Sequence, residues 1–220
     1  MSEPTAFLYP FIDREERDPE TLLSELSSSA RAKIRESAQL TTGTLERLRP
    51  DIDRAGCDLA ARFARGGRLL AFGNGGSATD ACSAVELFLH PPTGRPLPAL
   101  ALVEDRAVVT ALANDVGYEL VFSRQIMAHG RAGDIAIGFS TSGGSRNVLE
   151  GLEEAARRGL STVGLSGYEG GPMAGNPGVQ YPFVVRSDSV HRIQEAQSAV
   201  LFELWSVVQK SLEETHGEDR

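Results

Sequence analysis

Two cysteines in 220 residues, Cys57 and Cys82, are too few for a disulfide framework, and neither has a partner at metal-ligand spacing. Each reads as a small buried hydrophobe. No apolar run approaches the roughly 20 residues needed to cross a bilayer. The opening stretch, MSEPTAFLYPFIDREERD, carries acids and prolines and lacks the basic start and unbroken apolar run of a secretory signal. A cytoplasmic location without a membrane partner is expected. Basic charge is also scarce. The 22 Lys and Arg stand against 30 Asp and Glu, for a formal net charge of −8. With no cationic stripe to neutralise phosphates, direct nucleic-acid binding is not expected. Backbone amides remain able to hold a small anion.

What is present is an ordinary globular composition, 41% hydrophobic and 24% charged, in a chain long enough to bury a sizeable core. One domain with an N-terminal helical extension is expected. Leu22, Leu23, Leu26, Ala30, Ile34, Ala38 and Leu45 recur near a 3.6 period, so residues 20–48 read as one or two amphipathic helices, with SSS at 27–29 as a break. Pro50-Asp51 restarts a helix through Ala64, turning Ile52, Leu59, Ala60 and Phe63 inward, and Gly66-Gly67 stops it.

The pattern then changes. Short apolar runs at 68–72, 97–103, 135–139, 162–166 and 181–185 alternate with helical stretches at 77–90, 107–112, 118–128 and 145–158. Runs rich in Val, Ile and Leu without clean alternation suit strands buried on both faces, and the helices between them supply parallel crossovers. A last helix over 189–215 carries Ile193, Ala196, Val200, Leu204, Val207 and Leu212 in one stripe, before a polar tail. The fold class is a doubly wound, Rossmann-like α/β sheet. In such sheets the ligand sits beyond the carboxyl ends of the strands, near helix N-termini.

Two loops at that edge are polar and glycine-rich. The first, GNGGS at 73–77, follows the first strand and opens a helix. It has neither the Gly-Lys-Ser/Thr of a Walker loop nor the spacing of a dinucleotide fingerprint. It reads as an anion-shaping loop or as a tight strand-to-helix turn, with equal weight. The second, STSGGS at 140–145, puts four hydroxyls and two glycines before the next helix. One helix cap needs one hydroxyl, so four favour a phosphate cradle without fixed positive charge. A third feature, Asn114-Asp115, follows a short helix after the second strand.

The stretches GNGGSATDA, ALANDVGYELVFSRQ, GDIAIGFSTSGGSRNVLEGLEEAARRGL, TVGLSGYEGGPMAG and RIQEAQ together resemble the sugar isomerase (SIS) domain family, in its phosphoheptose isomerase branch. The resemblance implies a five-stranded parallel sheet flanked by helices, assembled as a homotetramer with sites where subunits meet. It divides the chain into a leader and helical arm at 1–44, the SIS domain at 45–215 and a polar tail at 216–220. It places sugar-phosphate contacts at Asn74, Gly75, Gly76, Ser77, Asn114, Asp115, Ser140, Thr141, Ser142, Ser145 and Gln194, with the phosphate on the serine-rich loop.

The carry-over stops at the metal. The branch places a histidine, a glutamate, a glutamine and a second histidine around a divalent ion, commonly zinc. The matching positions are Ser83, Leu87, Gln194 and Phe202. One amide oxygen cannot hold zinc, and Leu and Phe move no protons, so no cofactor is expected. Glu86 and His191 are the weak candidates left for proton transfer. His90, before Pro91-Pro92, reads as a cap or an exposed residue. His129 reads as a cation at a helix end, and His216 lies in the tail. The leading expectation is therefore a phosphosugar-binding sensor, scaffold or regulatory subunit with a protein partner. The DnaA initiator-associating protein, a similar tetramer lacking the acid and base, is a precedent. The alternative is a sugar-phosphate isomerase, of the sedoheptulose 7-phosphate type, with a non-standard site.

Overall fold

The structure, a computed structural model, describes residues 19–217. The polar leader and the end of the tail lie outside the described residues. Residues up to 39 form one unit and those from 40 onward another. In the first unit the chain is helical from Pro19, and Leu22, Leu23, Leu26 and Ile34 are exposed.

The expected restart at Pro50 does not occur. A single helix, α1, runs from Pro19 to Ala64 with Pro50 inside it. Proline removes one helical hydrogen bond. Leu48, Ile52, Ala55 and Leu59, on either side of it, are all buried in one core, and that shared packing carries the helix through. Gly56 lets α1 lie close to the last helix, since a Cβ there would sit 2.7 Å from Cβ of Val207.

Strands and helices then alternate: β1 (Leu69–Gly73), α2 (Gly76–Leu89), β2 (Ala99–Ala101), α3 (Arg106–Asp115), a 3-10 turn (Tyr118–Leu120), α4 (Val121–His129), β3 (Ile135–Ser140), α5 (Arg146–Arg157), β4 (Ser161–Gly167), α6 (Gly171–Ala174), β5 (Tyr181–Val185) and α7 (Val190–Gly217). The five strands form one all-parallel sheet in the order β2-β1-β3-β4-β5. β1, β3 and β4 are buried along their whole length, which is why their sequences show no alternation. Leu69, Ala71, Ile135, Ile137 and Phe139 face a core shared with α1, α2 and α7. Leu70, Phe72 and Ala136 face the opposite core, with α4 and α5. There the Phe72 and Phe122 rings meet at 5.1 Å.

The strand order reverses between β1 and β3. That switch point is where an open α/β sheet leaves a crevice, because the chains leaving the two strands diverge. The register pairs Gly73 with Phe139, so loops 73–77 and 140–145 leave neighbouring strand ends on either side of that crevice. Among the described residues no helix is long and apolar enough to cross a membrane.

Candidate active site

The serine-rich loop is built from its own hydroxyls. Ser140 Oγ donates to Ser145 Oγ at 3.0 Å and lies 3.4 Å from Ser142 Oγ. Ser140 Oγ accepts the Ser145 amide at 3.4 Å, and Ser142 Oγ accepts the Gly144 amide at 3.2 Å. Ser145 stands at the N-cap of α5 but makes no side-chain cap bond. In α3, by contrast, Asp105 caps the Val108 amide at 3.1 Å. The first N–H groups of a helix have no acceptor within it, so those of Arg146 and Asn147 are left facing the crevice end with the dipole behind them. Hydroxyls that could cap α5 are drawn together instead into a cluster centred on Ser140, just before its N-terminus. An anion with several acceptor oxygens fits that arrangement.

The loop is held tightly. Gly143 has φ +64°, and a Cβ there would overlap the Gly170 carbonyl. The Met173 amide donates to the Gly143 carbonyl at 3.0 Å, and the Gly167 amide to that of Thr141 at 2.9 Å. The glycine-rich segment after β4 thus forms the back of the cradle.

The first loop carries a feature that no motif announced. Asn74 and Asn147 exchange reciprocal amide hydrogen bonds of 2.8 and 2.9 Å, and Tyr118 donates its hydroxyl to Asn74 Oδ1 at 2.9 Å. The Asn74 side-chain oxygen therefore accepts from two protein donors. These bonds tie the loop after β1 to α5 and to the turn carrying Tyr118. Ser77 is buried, whereas Gly75 and Gly76 are exposed. Asn114 and Asp115 lie at the end of α3, exposed, with Asn114 donating to Asp115 at 2.8 Å. Tyr118, three residues on, links that turn to the first loop.

The fourth wall comes from α7. Gln194 Nε2 donates to Asp80 Oδ2 on α2 at 2.8 Å. Burial pushes the Asp80 carboxyl above the usual carboxylate range, while the bond from Gln194 partly opposes that rise. Asp80, Tyr118 and Asn147 are site residues that the sequence reading missed. Only their presence inside the quoted stretches could have drawn attention to them.

At the positions where the resemblance puts metal ligands, Ser83 is exposed and Leu87 half-buried. Phe202 is 47% exposed and packs on Trp205, with ring centres 5.1 Å apart. A hydroxyl, two hydrocarbon side chains and one amide do not fit a zinc ion. Glu86 is turned to solvent, its carboxylate 3.0 Å from His90 with both side chains about 70% exposed. It lies some 120° around α2 from Asp80, at 100° per residue, and so is turned away from the crevice wall that Asp80 forms. His191 is exposed in the first turn of α7, three residues before Gln194 and so on the same side of the helix. The cysteine expectation also needs correction, since Cys57 is exposed and Cys82 only partly buried. Cys57 lines a groove of about 520 Å³ between α1 and α7 that shares no residue with the crevice.

Comparison with known proteins agrees with this geometry. Residues 34–167 match the SIS domain family. A phosphoheptose isomerase of Leptospira biflexa is 38% identical over 185 residues, covering 82% of this chain and 94% of its own. Among solved structures, the phosphoheptose isomerase of Neisseria gonorrhoeae superposes with a TM-score of 0.75 at 32% identity, covering 84% of this chain and 99% of that one. That of Francisella tularensis gives 0.77 at 29%, covering 83% and 97%. With the five-stranded parallel sheet and its two polar loops at the switch point, these matches establish that the chain belongs to the SIS domain family and has phosphoheptose isomerases as its relatives.

Proposed function

We propose that the crevice binds a sugar phosphate and that the chain interconverts its aldose and ketose forms, on a substrate of the sedoheptulose 7-phosphate kind. The observation that carries the binding half is the N-terminus of α5, without a side-chain cap, beside a cluster of serine hydroxyls centred on Ser140. The phosphate sits on Ser140, Thr141, Ser142 and Ser145. The hydroxylated chain lies along Gly75, Gly76, the Asn114-Asp115 turn and Gln194. The relatives' names support the isomerase half, and none of those reported above is a sensor or scaffold. The regulatory expectation thus loses its place to the isomerase alternative.

Isomerisation moves one proton from the carbon beside a carbonyl to the carbonyl carbon, while a second passes from the adjacent hydroxyl oxygen to the carbonyl oxygen. The carbon-bound proton requires a base of suitable reach. Without a fitting metal set, the reaction proposed is metal-free, with His191 as the proton-transfer group. It is exposed in the first turn of α7 and stands one helical turn before Gln194. Substitution of His191 by Asn should abolish turnover while leaving sugar-phosphate binding intact. Unchanged turnover would remove His191 from the reaction.

One observation favours a second reading, binding without turnover: Ser83, Leu87 and Phe202 replace the acid-base and metal positions that the resemblance predicts. A homotetramer is also proposed, because exposed apolar side chains along residues 22–34 and at Phe202 call for a covering surface.

A further inference from the structure

Gln194 is held in one sense only. A carboxylate accepts and does not donate. The 2.8 Å contact with Asp80 Oδ2 therefore directs the NH2 of the Gln194 amide to α2 and turns its carbonyl oxygen elsewhere. The room for that amide comes from Gly76. A Cβ at Gly76 would lie 2.7 Å from Gln194 Nε2 and 3.2 Å from Oε1, so the amide plane rests across the glycine of the first loop. The preceding residue, Ile193, is wedged where a Cβ on Gly167 would also meet the Thr141 carbonyl at 2.8 Å. The start of α7 is thereby fixed beside both loops. Gln194 Oε1 receives no hydrogen bond from any described residue.

We infer that Asp80 is a positioning residue, which holds Gln194 with its carbonyl oxygen presented to the crevice as an acceptor for a ligand hydroxyl. The inference rests on the proposed sugar-phosphate site and adds how that site tells a polyol phosphate from a bare phosphate. The cradle at 140–145 reads the anion and Gln194 reads a hydroxyl. Ionisation of Asp80 is not required, because a carboxamide in its place still offers a carbonyl oxygen to the Gln194 NH2.

The test is calorimetric titration of wild type, Asp80→Asn, Asp80→Ala and Gly76→Ala with sedoheptulose 7-phosphate and, separately, with inorganic phosphate. Thermal melts confirm folding. Asp80→Asn should bind the sugar phosphate within about threefold of wild type. Asp80→Ala frees the amide to turn and should lose about five- to tenfold, the worth of one hydrogen bond, while its affinity for inorganic phosphate stays unchanged. Gly76→Ala displaces the same amide from the other side and should show the same sugar-selective loss, so the question survives if Asp80→Ala does not fold. Equal sugar-phosphate affinity in wild type, Asp80→Ala and Gly76→Ala overturns the inference and leaves the site standing. So does a loss in Asp80→Asn as large as in Asp80→Ala, which would assign the carboxylate itself to the ligand or the reaction. A wild type that binds neither ligand removes the site and the inference together.

Discussion

Replacing Ser142 and Ser145 together by Ala tests the cradle without threatening the fold. Ser142 is exposed, and its hydroxyl accepts the Gly144 amide and lies 3.4 Å from Ser140 Oγ; Ser145 Oγ is bonded to Ser140 Oγ at 3.0 Å. Losing these internal contacts should cost about 1–2 kcal/mol of stability, since neutral hydrogen bonds are worth about 1 kcal/mol each. Bonds to a phosphate dianion are charge-assisted and worth roughly 1.5–3 kcal/mol each. Two of them come to at least about 3 kcal/mol gross. Part of that is recovered, because the free loop already pairs its hydroxyls with one another and must break those pairs to bind. A net loss of about 1.4 kcal/mol or more is expected, at least tenfold in Kd. The assay is isothermal titration with sedoheptulose 7-phosphate and a panel of hexose phosphates, beside a thermal melt. A double variant that folds and binds as tightly as wild type would refute the phosphate-cradle reasoning. A wild type that binds none of the sugar phosphates would refute it equally.

Three further outcomes follow from the same structure. Asp134, whose side chain is 5% exposed, accepts the Arg68 and Arg131 amides at 3.0 Å each. Asp134→Ala should therefore destabilise by about 2–4 kcal/mol, as two orphaned N–H groups imply, and a urea titration showing less than about 1 kcal/mol would contradict that role. Burial raises the Asp80 carboxyl above its unfolded value, so the stability linked to its protonation is present at low pH and lost as pH rises through the folded pKa. Asp80→Asn should be more stable than wild type at neutral pH, with the gap closing as pH falls through the carboxylate range; a pH-independent gap would contradict it. Multi-angle light scattering at micromolar concentration should give a homotetramer, and a monomer would leave the exposed apolar side chains of residues 22–34 and Phe202 without the proposed cover.

The parts of the fold legible in the sequence were those with a period or a composition of their own. All five strands fall within a few residues of the expected runs; in β1, β3 and β4 burial on both faces leaves an unbroken apolar signature. The two site loops were legible because glycine and serine clusters mark strand-to-helix turns at the switch point. α1 was not, since proline is a local signal and its neighbours' packing is a tertiary one. The site's internal bracing was hidden for a different reason. Asn74 pairs with Asn147 and Tyr118 across 73 and 44 residues, and Asp80 with Gln194 across 114. Such contacts leave no periodicity. Asn74, a substrate contact by resemblance alone, is also a clamp between the loop, α5 and the Tyr118 turn, because two donors reach its side-chain oxygen.

The isomerase reading is tested most directly by incubating chelator-treated protein with sedoheptulose 7-phosphate in deuterated water and following the sugar by NMR. Zinc in the protein and in the buffer is measured alongside. The account predicts conversion between ketose and aldose with deuterium entering the carbon beside the carbonyl, no dependence on added zinc, and loss of conversion in His191→Asn. Binding with no conversion, or conversion only when one zinc per chain is restored and Gln194 is intact, would contradict it.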